Sequence, residues 1–444
     1  MVDDSRGVAE STGRVTVMTS IPPACFAPDA VIPSRDVLLD ETHVAEIVGR
    51  IYNRPGAVES CTLRRAQYRI GESLRVAYDV GADGRDFVIS ARTFANGADG
   101  ADEFRRAHLV AENVAGMPGV AHDPGTDSVW WTLPNDRQLR NVGTLLDPPR
   151  RVRESSGVEW DQSVLVEYIP ERSATARLID AHGQTSGFAK AYIDRDVLDV
   201  AEQYNRVAAS IALLDGIRTP RALGWARPDR IVVLEAMRGR TWAQLPDDGR
   251  PQAMHSLGEA LAHVHGLPTD FGRGPFERFQ TERVLNSADL VAVARPDVAD
   301  AARRLRDKLA DGPPVNEAIV CLHGDVHAEN VLFHGDQIHM LDFDRGGSGA
   351  ASADLGCVLA SLMTARLIDP HTSLAGLGKT FLAGYRKIRP LPSSAELRWY
   401  TAAAFLAERA IRAVGNVSRP TLAILPKMLE LAEDLLADKV PIDQ

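Results

Sequence analysis

An α+β chain of two lobes, β-rich up to about residue 238 and helical beyond it, with an extra N-terminal α/β cap, is the architecture this sequence predicts. Two changes of texture and the length predict it. Over 60–95 and again over 168–192 apolar and polar residues alternate, as in half-buried strands. Beyond residue 250 apolar residues recur at three- and four-residue spacing, as on amphipathic helices. A chain of 444 residues exceeds what a single core organises. The expected divisions are a loose tail rich in Ser, Gly, Pro and Asp over 1–35, a cap over 36–158, a β-rich lobe over 159–238 and a helical lobe over 239–444.

Taken in order, DVLLDETHVAEIVGRIYNR from residue 36 has the Leu, Val and Ile spacing of a helix. SCTLRRAQYRIGESLRVAYDVGADGRDFVISARTF then reads as a β-hairpin around GADGRD. A short helical stretch (ADEFRRAHLVAENV), a strand (VWWTLP) and a Pro/Arg-rich connection (LLDPPRRVRESSG) lead to a second hairpin, YIPERSATARLIDAHGQTSGFAKAY. The two hairpins line up: Tyr68 with Tyr168, Ser73 with Ser173 and, after a one-residue slip, Phe87 with Phe188. Either they are an internal repeat or two amphipathic hairpins that resemble each other by chance. In this alignment Lys190 of FAKAY replaces Ile89. A helix (VLDVAEQYNRVAASIALLDG), a strand-turn-strand (ALGWARPDRIVVLEAM), a linker at Met237-Arg-Gly-Arg and a helix (PQAMHSLGEALAHVHGL) follow. Helices are expected at 294–311, 352–369, 372–388, 395–415 and 420–438.

Charge and cysteines exclude several functions. A formal net charge of −10 gives no basic face for nucleic acid. It would suit a cationic substrate, but an ordinary acidic cytoplasmic enzyme is the simpler reading. Cys25, Cys61, Cys321 and Cys357 lie far apart without a CxxC pair, so neither a disulfide framework nor a structural zinc is expected. The reading finds no apolar run of about 18 residues to span a bilayer and no signal peptide in MVDDSRGVAESTGR. A cytoplasmic protein without membrane or nucleic-acid partners is the expectation.

The densest chemistry is HGDVHAEN, residues 323–330, followed by VLFHGDQIHMLDFDRGG. Zinc is one reading of His323 and His327, but Gly324 weakens any helix there and no glutamate stands as the base of a zinc protease. Phosphoryl transfer uses more of the residues. It needs a carboxylate to receive or orient the hydroxyl proton, oxygen ligands for Mg2+, a lysine on the phosphates and a group to fix that lysine. Asp325 and Asn330 stand five apart, as the acid and the metal-binding amide do in a kinase catalytic loop, and Asp342 opens a DFD triplet where kinases have DFG.

HGDxHxxN, then a hydrophobic hairpin and LDFD, then Asp354-Leu355-Gly356, resembles the aminoglycoside phosphotransferase and choline kinase-like superfamily. LGEALAHVHGL at 257–267 resembles the helix that opens its C-lobe. The resemblance covers about residues 160–440 and implies a protein-kinase-like fold working on ATP and Mg2+. It implies Asp325 as catalytic base or hydroxyl-orienting group, and Asn330 and Asp342 as metal ligands. His323 and His327 would brace the loop, Asp344 would orient the metal or a loop, and Asp354 would fix the loop backbone. Lys190 would meet the ATP phosphates, with Glu202 as its ion-pair partner or Asp199 one turn earlier; the bland reading of Lys190 is an exposed lysine on an edge strand. No Gly-rich loop precedes it. In YIPERSATA, Ser173 or Arg172 is expected to serve the phosphates, unless both are plain turn residues. Glu235 and Met237, in IVVLEAMRGR, would meet adenine through backbone groups. The long N-terminal part resembles, in layout alone, that of maltokinase and glucosamine kinase-like proteins.

The implied reaction moves the γ-phosphoryl group of ATP to a hydroxyl of a sugar, amino sugar or aminoglycoside-like acceptor. RWYTAAAFLAERAIRAVGN offers Trp399 or Tyr400 to stack on a sugar and Glu408 to bind hydroxyls or an ammonium. The alternative is a packed helix with an internal Glu408–Arg412 pair. Protein phosphorylation lacks an APE-like segment, and the non-enzyme alternative is a nucleotide-binding pseudokinase acting as a regulatory module.

Overall fold

The computed structural model describes residues 26–53, 56–94, 100–269, 279–314, 319–372 and 374–443. Of the expected tail, residues 1–25 lie outside the described residues, whereas 26–35 are packed rather than loose. Phe26 meets Tyr68 edge-on at 5.8 Å, Ile32 is buried and the Arg35 guanidinium lies 5.2 Å from both rings. Arg35 Nη1 also donates to the Ala27 carbonyl (2.8 Å) and the Tyr68 hydroxyl (3.0 Å). An arginine in Ser/Pro-rich surroundings does not advertise such an anchor.

Two five-stranded antiparallel sheets follow one another. The first holds β1 (Val58–Arg69), β2 (Ser73–Ala82), β3 (Arg85–Thr93), β4 (Val120–Asp123) and β5 (Ser128–Thr132) in the order β1-β2-β3-β5-β4. The second holds β6 (Gln162–Ile169), β7 (Ser173–Ile179) and β8 (Thr185–Tyr192) and, after the two-residue β9 (Ile217–Arg218), β10 (Ala222–Ala226) and β11 (Ile231–Leu234). Its order, β6-β7-β8-β11-β10, repeats the first. Each sheet interposes a helix after its third strand, Gly100–His108 in the first and Val197–Ile211 in the second.

The repeat extends to individual contacts. Tyr68 pairs opposite Leu74, and Tyr168 opposite Ala174. The Tyr68 hydroxyl and Gly71 N–H both donate to Asp29 Oδ2, at 2.7 and 3.0 Å. The Tyr168 hydroxyl and Glu171 N–H both donate to Asp136 Oδ2, at 2.6 and 3.0 Å. Register revises one correspondence: Thr175 faces Lys190, and Arg75 faces Arg92. Arg92, not Ile89, therefore stands where the second sheet has its lysine. The turns that close the two second-to-third-strand hairpins differ in length, which a linear alignment around Phe87 misplaces.

The rest is helical apart from two small sheets: β12 (Ile319–Leu322) with β15 (Gly347–Ala350), and β13 (Val331–His334) with β14 (Gln337–Met340), which also pairs in parallel with β9. The expected 294–311 helix begins only at Ala299, after a short turn, and a preceding helix, Thr281–Ala294, completes that pair. Ser394–Gly415 is continuous but passes through a π-helical segment at Phe405–Ala410. Against the expectation of no such run, Ala351–Ile368 is long and apolar enough by composition to cross a membrane, but most of it is buried inside the protein. One hydrophobic core runs from the first sheet (Tyr78, Ile89, Trp130) into the helical lobe (Leu257, Phe381, Phe405). A second joins Ala174, Leu178 and Ala189 of the second sheet to Leu139 and Val142 of the connection. The first sheet is thus packed against the C-terminal helices, while its exit chain is packed against the second sheet.

Candidate active site

β8 carries Lys190 in mid-strand, between Thr175 of β7 and Val232 of β11. This is a central strand, not an edge. Its ammonium lies 3.4 Å from Asp344 Oδ2 and 3.8 Å from Asp342 Oδ1, and 5.5 Å from the centre of the Tyr192 ring. Burial alone would lower its pKa, but Tyr204, Tyr192, Asp344 and Asp342 outweigh it and hold the amine protonated. Arg195, which no sequence motif marks, brings a second cation to Asp344 at 2.9 Å.

Glu202 does not fill the role expected of it. Both Glu202 and Asp199 are exposed. The inward stripe of helix Val197–Ile211 is Val197, Val200, Ala201, Tyr204, Val207, Ala208 and Ile211, and the 3.6-residue period turns 199 and 202 away from it. The helix meets the cleft instead through Tyr204 and through Gln203, whose Nε2 donates to the Phe343 carbonyl at 3.3 Å. The carboxylates that face Lys190 come from the helical lobe.

The loop after β12 is built around Asp354, on helix Ala351–Ile368. Its carboxylate accepts from His323 N–H (2.8 Å) and Gly324 N–H (3.0 Å) and lies 3.2 Å from His265 Nε2. His265 is held in turn by the Tyr385 hydroxyl at 2.9 Å. These bonds keep Asp354 ionised below the usual carboxylate range, although burial opposes it. Gly324 is left-handed (φ 80°), which glycine accepts freely. His323 is buried, its Nε2 2.9 Å from the Leu341 carbonyl. His327 Nε2 lies 3.1 Å from Asn330 Nδ2, and burial, helped by Arg409 and Arg412, pushes its pKa down to about 4.

Asn330 Nδ2 also donates to the Asp325 carbonyl (3.0 Å), and Leu341 N–H to the Asn330 carbonyl (2.8 Å). Asp325, Asn330 and Asp342 are therefore tied across the β13–β14 hairpin. Asp342 is left-handed (φ 59°), and its Oδ1 is buried without a hydrogen-bond partner. Burial, with Asp344 and Asp325 near, raises its pKa, while Lys190 opposes the rise. A buried carboxylate oxygen of this kind fits a hard divalent cation, and Asn330, its amide nitrogen engaged, has its oxygen to offer. Two protein oxygens are what Mg2+ asks, since it keeps waters and takes substrate phosphates for the rest.

Arginines crowd Asp325. Arg412 Nη2 lies 3.0 Å from its Oδ1 and Arg345 Nε 3.7 Å from its Oδ2. Arg412 also pairs with Glu408 at 2.9 Å, so the packed-helix alternative for Glu408 is the arrangement found. Trp399 is only 3% exposed and belongs to the hydrophobic core. It has no face to offer a sugar, because the helix turns it toward neighbouring helices. Tyr400 is half-buried, edge-on to Phe279 at 5.8 Å.

The nucleotide-side residues divide. Ser173 is buried, opposite Tyr192, and Arg172 is exposed on the turn. Glu171, between them and Pro170, carries no motif in sequence yet is the most heavily bonded residue of the turn. β11 leads into Glu235 and Met237; Glu235 N–H donates to the Arg221 carbonyl (2.9 Å), and its carboxylate meets Arg218 and Arg221 at 3.4 and 3.3 Å. Arg240 and Phe333 then exchange backbone bonds of 3.0 and 2.8 Å, tying this linker to β13. His265 lies in LGEALAHVHGL and Arg345 directly follows DFD, but neither stretch, nor the surroundings of Arg195, shows which charge each side chain meets; those contacts are legible only in space.

Residues 194–391 match the model of the phosphotransferase enzyme family, so the resemblance drawn from HGDxHxxN is borne out. No curated protein matches the chain. Among solved structures it is similar to a macrolide 2′-phosphotransferase from Brachybacterium faecium, at 17% identity over 67% of this chain and 98% of that one, with a TM-score of 0.43. A choline/ethanolamine kinase family protein from Mesorhizobium loti matches at 16% identity over 62% and 88%, TM-score 0.43. An amicoumacin kinase, in complex with AMP-PNP and Ca2+, matches at 18% over 68% and 97%, TM-score 0.47.

Proposed function

From a chain whose residues 194–391 match the phosphotransferase enzyme family, we propose an ATP- and Mg2+-dependent small-molecule kinase. It transfers the γ-phosphoryl group to a hydroxyl of a sugar, amino sugar or aminoglycoside. The observation that carries this reading is the convergence of Lys190 on Asp342 at 3.8 Å, with Asp342 Oδ1 buried and otherwise unbonded. A lysine for phosphate oxygens and a carboxylate for their counter-cation are thereby set side by side.

In this reading Lys190 binds the ATP phosphates, and Asp342 and Asn330 hold the cation. Bound there, Mg2+ supplies charge neutralisation on the β- and γ-phosphates. Asp325 orients the acceptor hydroxyl and takes up its proton as the new O–P bond forms and the bond from the γ-phosphorus to the bridging oxygen breaks, with ADP leaving. Asp354, through the His323 and Gly324 amides, keeps Asp325 in place. Backbone groups at Glu235 and Met237 meet the adenine. A reaction that consumes ATP belongs in the cytoplasm, where ATP is made.

A second reading, a nucleotide-binding module without phosphotransfer, draws on the pairing of Asp325 with Arg412 and Arg345, which occupies the would-be base. One assay separates them: ADP release from Mg2+-ATP across monosaccharides, amino sugars, disaccharides, choline-like amines and aminoglycosides. The kinase reading expects acceptor-dependent release that falls about a hundredfold or more in Asp325→Asn. Tight ATP binding without acceptor-dependent release would favour the module.

A further inference from the structure

The turn between β6 and β7, Ile169–Ser173, leads into the strand whose Thr175 faces Lys190. At its centre Glu171 is left-handed (φ 60°), a backbone conformation disfavoured for a residue with a side chain. The equivalent turn of the first sheet has Gly71 (φ 69°). Where one copy uses the residue the geometry favours, the other carries a glutamate. The glutamate's side chain supplies the reason.

The Glu171 carboxylate is buried in a socket of three arginines, all from the first sheet or its exit chain. Arg75 Nε lies 2.7 Å from Oε2, Arg137 Nε donates to Oε1 at 2.6 Å, and Arg92 Nη1 pairs with Oε2. Burial would raise its pKa, but Arg137, Arg92 and Arg75 outweigh this and keep it ionised. The backbone is held too, since Glu171 N–H donates to Asp136 Oδ2 (3.0 Å), which the Tyr168 hydroxyl also reaches (2.6 Å). Arg92 occupies the position that Lys190 occupies in the second sheet. The cation that would meet phosphate in one copy instead grips the other copy.

We propose that the N-terminal sheet is a second copy of the nucleotide lobe turned into an anchor. Through Arg75, Arg92 and Arg137 it holds Glu171, and thereby sets the Ile169–Ser173 turn against the phosphates of ATP. Glu171 is a positioning residue: it acts through the backbone amides and Ser173 of its turn, not by touching the nucleotide. Because the first sheet shares its core with the C-terminal helices, the anchor references the turn to the lobe that carries Asp325. The inference rests on the nucleotide site described under Proposed function.

The test is calorimetric titration of the whole chain with Mg2+-ATP and, separately, with adenosine. The variants are Glu171→Gly, Arg137→Ala and Lys190→Ala. Glu171→Gly removes the carboxylate while relieving the left-handed strain, and adenosine binding reports that each variant is folded. Loosening the turn adds an ordering cost to binding phosphates alone. Glu171→Gly and Arg137→Ala are therefore expected to weaken Mg2+-ATP about tenfold and leave adenosine unchanged. Unchanged ATP affinity in both, with Lys190→Ala still impaired, would overturn the anchor while leaving the nucleotide site standing. Equal losses for ATP and adenosine would reduce Glu171 to a general structural role and also overturn it. Absence of ATP binding in the unaltered protein would overturn the nucleotide site and the anchor together.

Discussion

Arg412 shows how one residue couples packing to the site. Its guanidinium bridges Glu408 and Asp325, at 2.9 and 3.0 Å, and both carboxylates are nearly buried. Replacing it with methionine keeps much of the apolar stem but takes the cation from between two buried acids. Breaking such a pair costs more than its net worth, because the remaining charge keeps its desolvation penalty. Arg412→Met is expected to lower stability by about 2 kcal/mol, the low side for a buried pair, since its side chain is one-third exposed. Chemical denaturation measures this. In a double-mutant cycle, Glu408→Gln should recover part of the loss; strictly additive effects would show that the pair is not coupled.

At the scale of elements, helices Arg250–Val264 and Leu377–Ile388 cross with their backbones in contact. A Cβ on Gly384 would stand 2.0 Å from the His255 carbonyl oxygen, and one on Gly258 2.1 Å from that of Phe381. Backbone cannot yield as a flexible side chain can, so the helices must separate. Gly384→Ala is expected to destabilise the protein by about 2 kcal/mol, read as a lowered urea midpoint. Because His265 follows the first helix and Tyr385 lies on the second, the shift should also reach Asp354 and the loop it holds. A variant as stable as the parent would mean that this crossing is looser than described. The amphipathic spacing that announced both helices says nothing of this contact, since a glycine reads there only as a weak helix former.

At the scale of the whole molecule, the Glu171 socket makes stability depend on pH. The carboxyl has its pKa below 4.5, the ordinary value for glutamate, when folded. The unfolded chain therefore binds its proton first as pH falls. The contribution is fully present above about 4.5 and is lost as pH falls through the lowered folded value. The stability gap between the parent and Glu171→Gln should be widest at neutral pH and close in acid, followed by thermal unfolding from pH 7 to pH 3. A gap that does not vary with pH would show that the carboxylate is not held ionised by the arginines.

Strand alternation in the two hairpins, helix spacing beyond residue 250 and the grouping of Asp325, Asn330, Asp342 and Asp354 were all legible in sequence. Each depends on residue type and local spacing, which a linear chain displays. The partners of Lys190 were not legible. Spacing on the helix points to Glu202 for the acid, whereas the burial stripe turns Glu202 outward and Asp344, remote in sequence, makes the contact. Trp399 looked like a sugar platform only until its neighbours buried it. The pairing of Arg75, Arg92 and Arg137 with Glu171 joins residues from two sheets that sequence shows only as similar hairpins. Residue type and local spacing thus fix which reactive groups the protein carries and which elements bear them. Which charges face one another is settled by the folded packing, because Coulomb attraction and burial depend on distance in space, and packing of the apolar faces sets that distance.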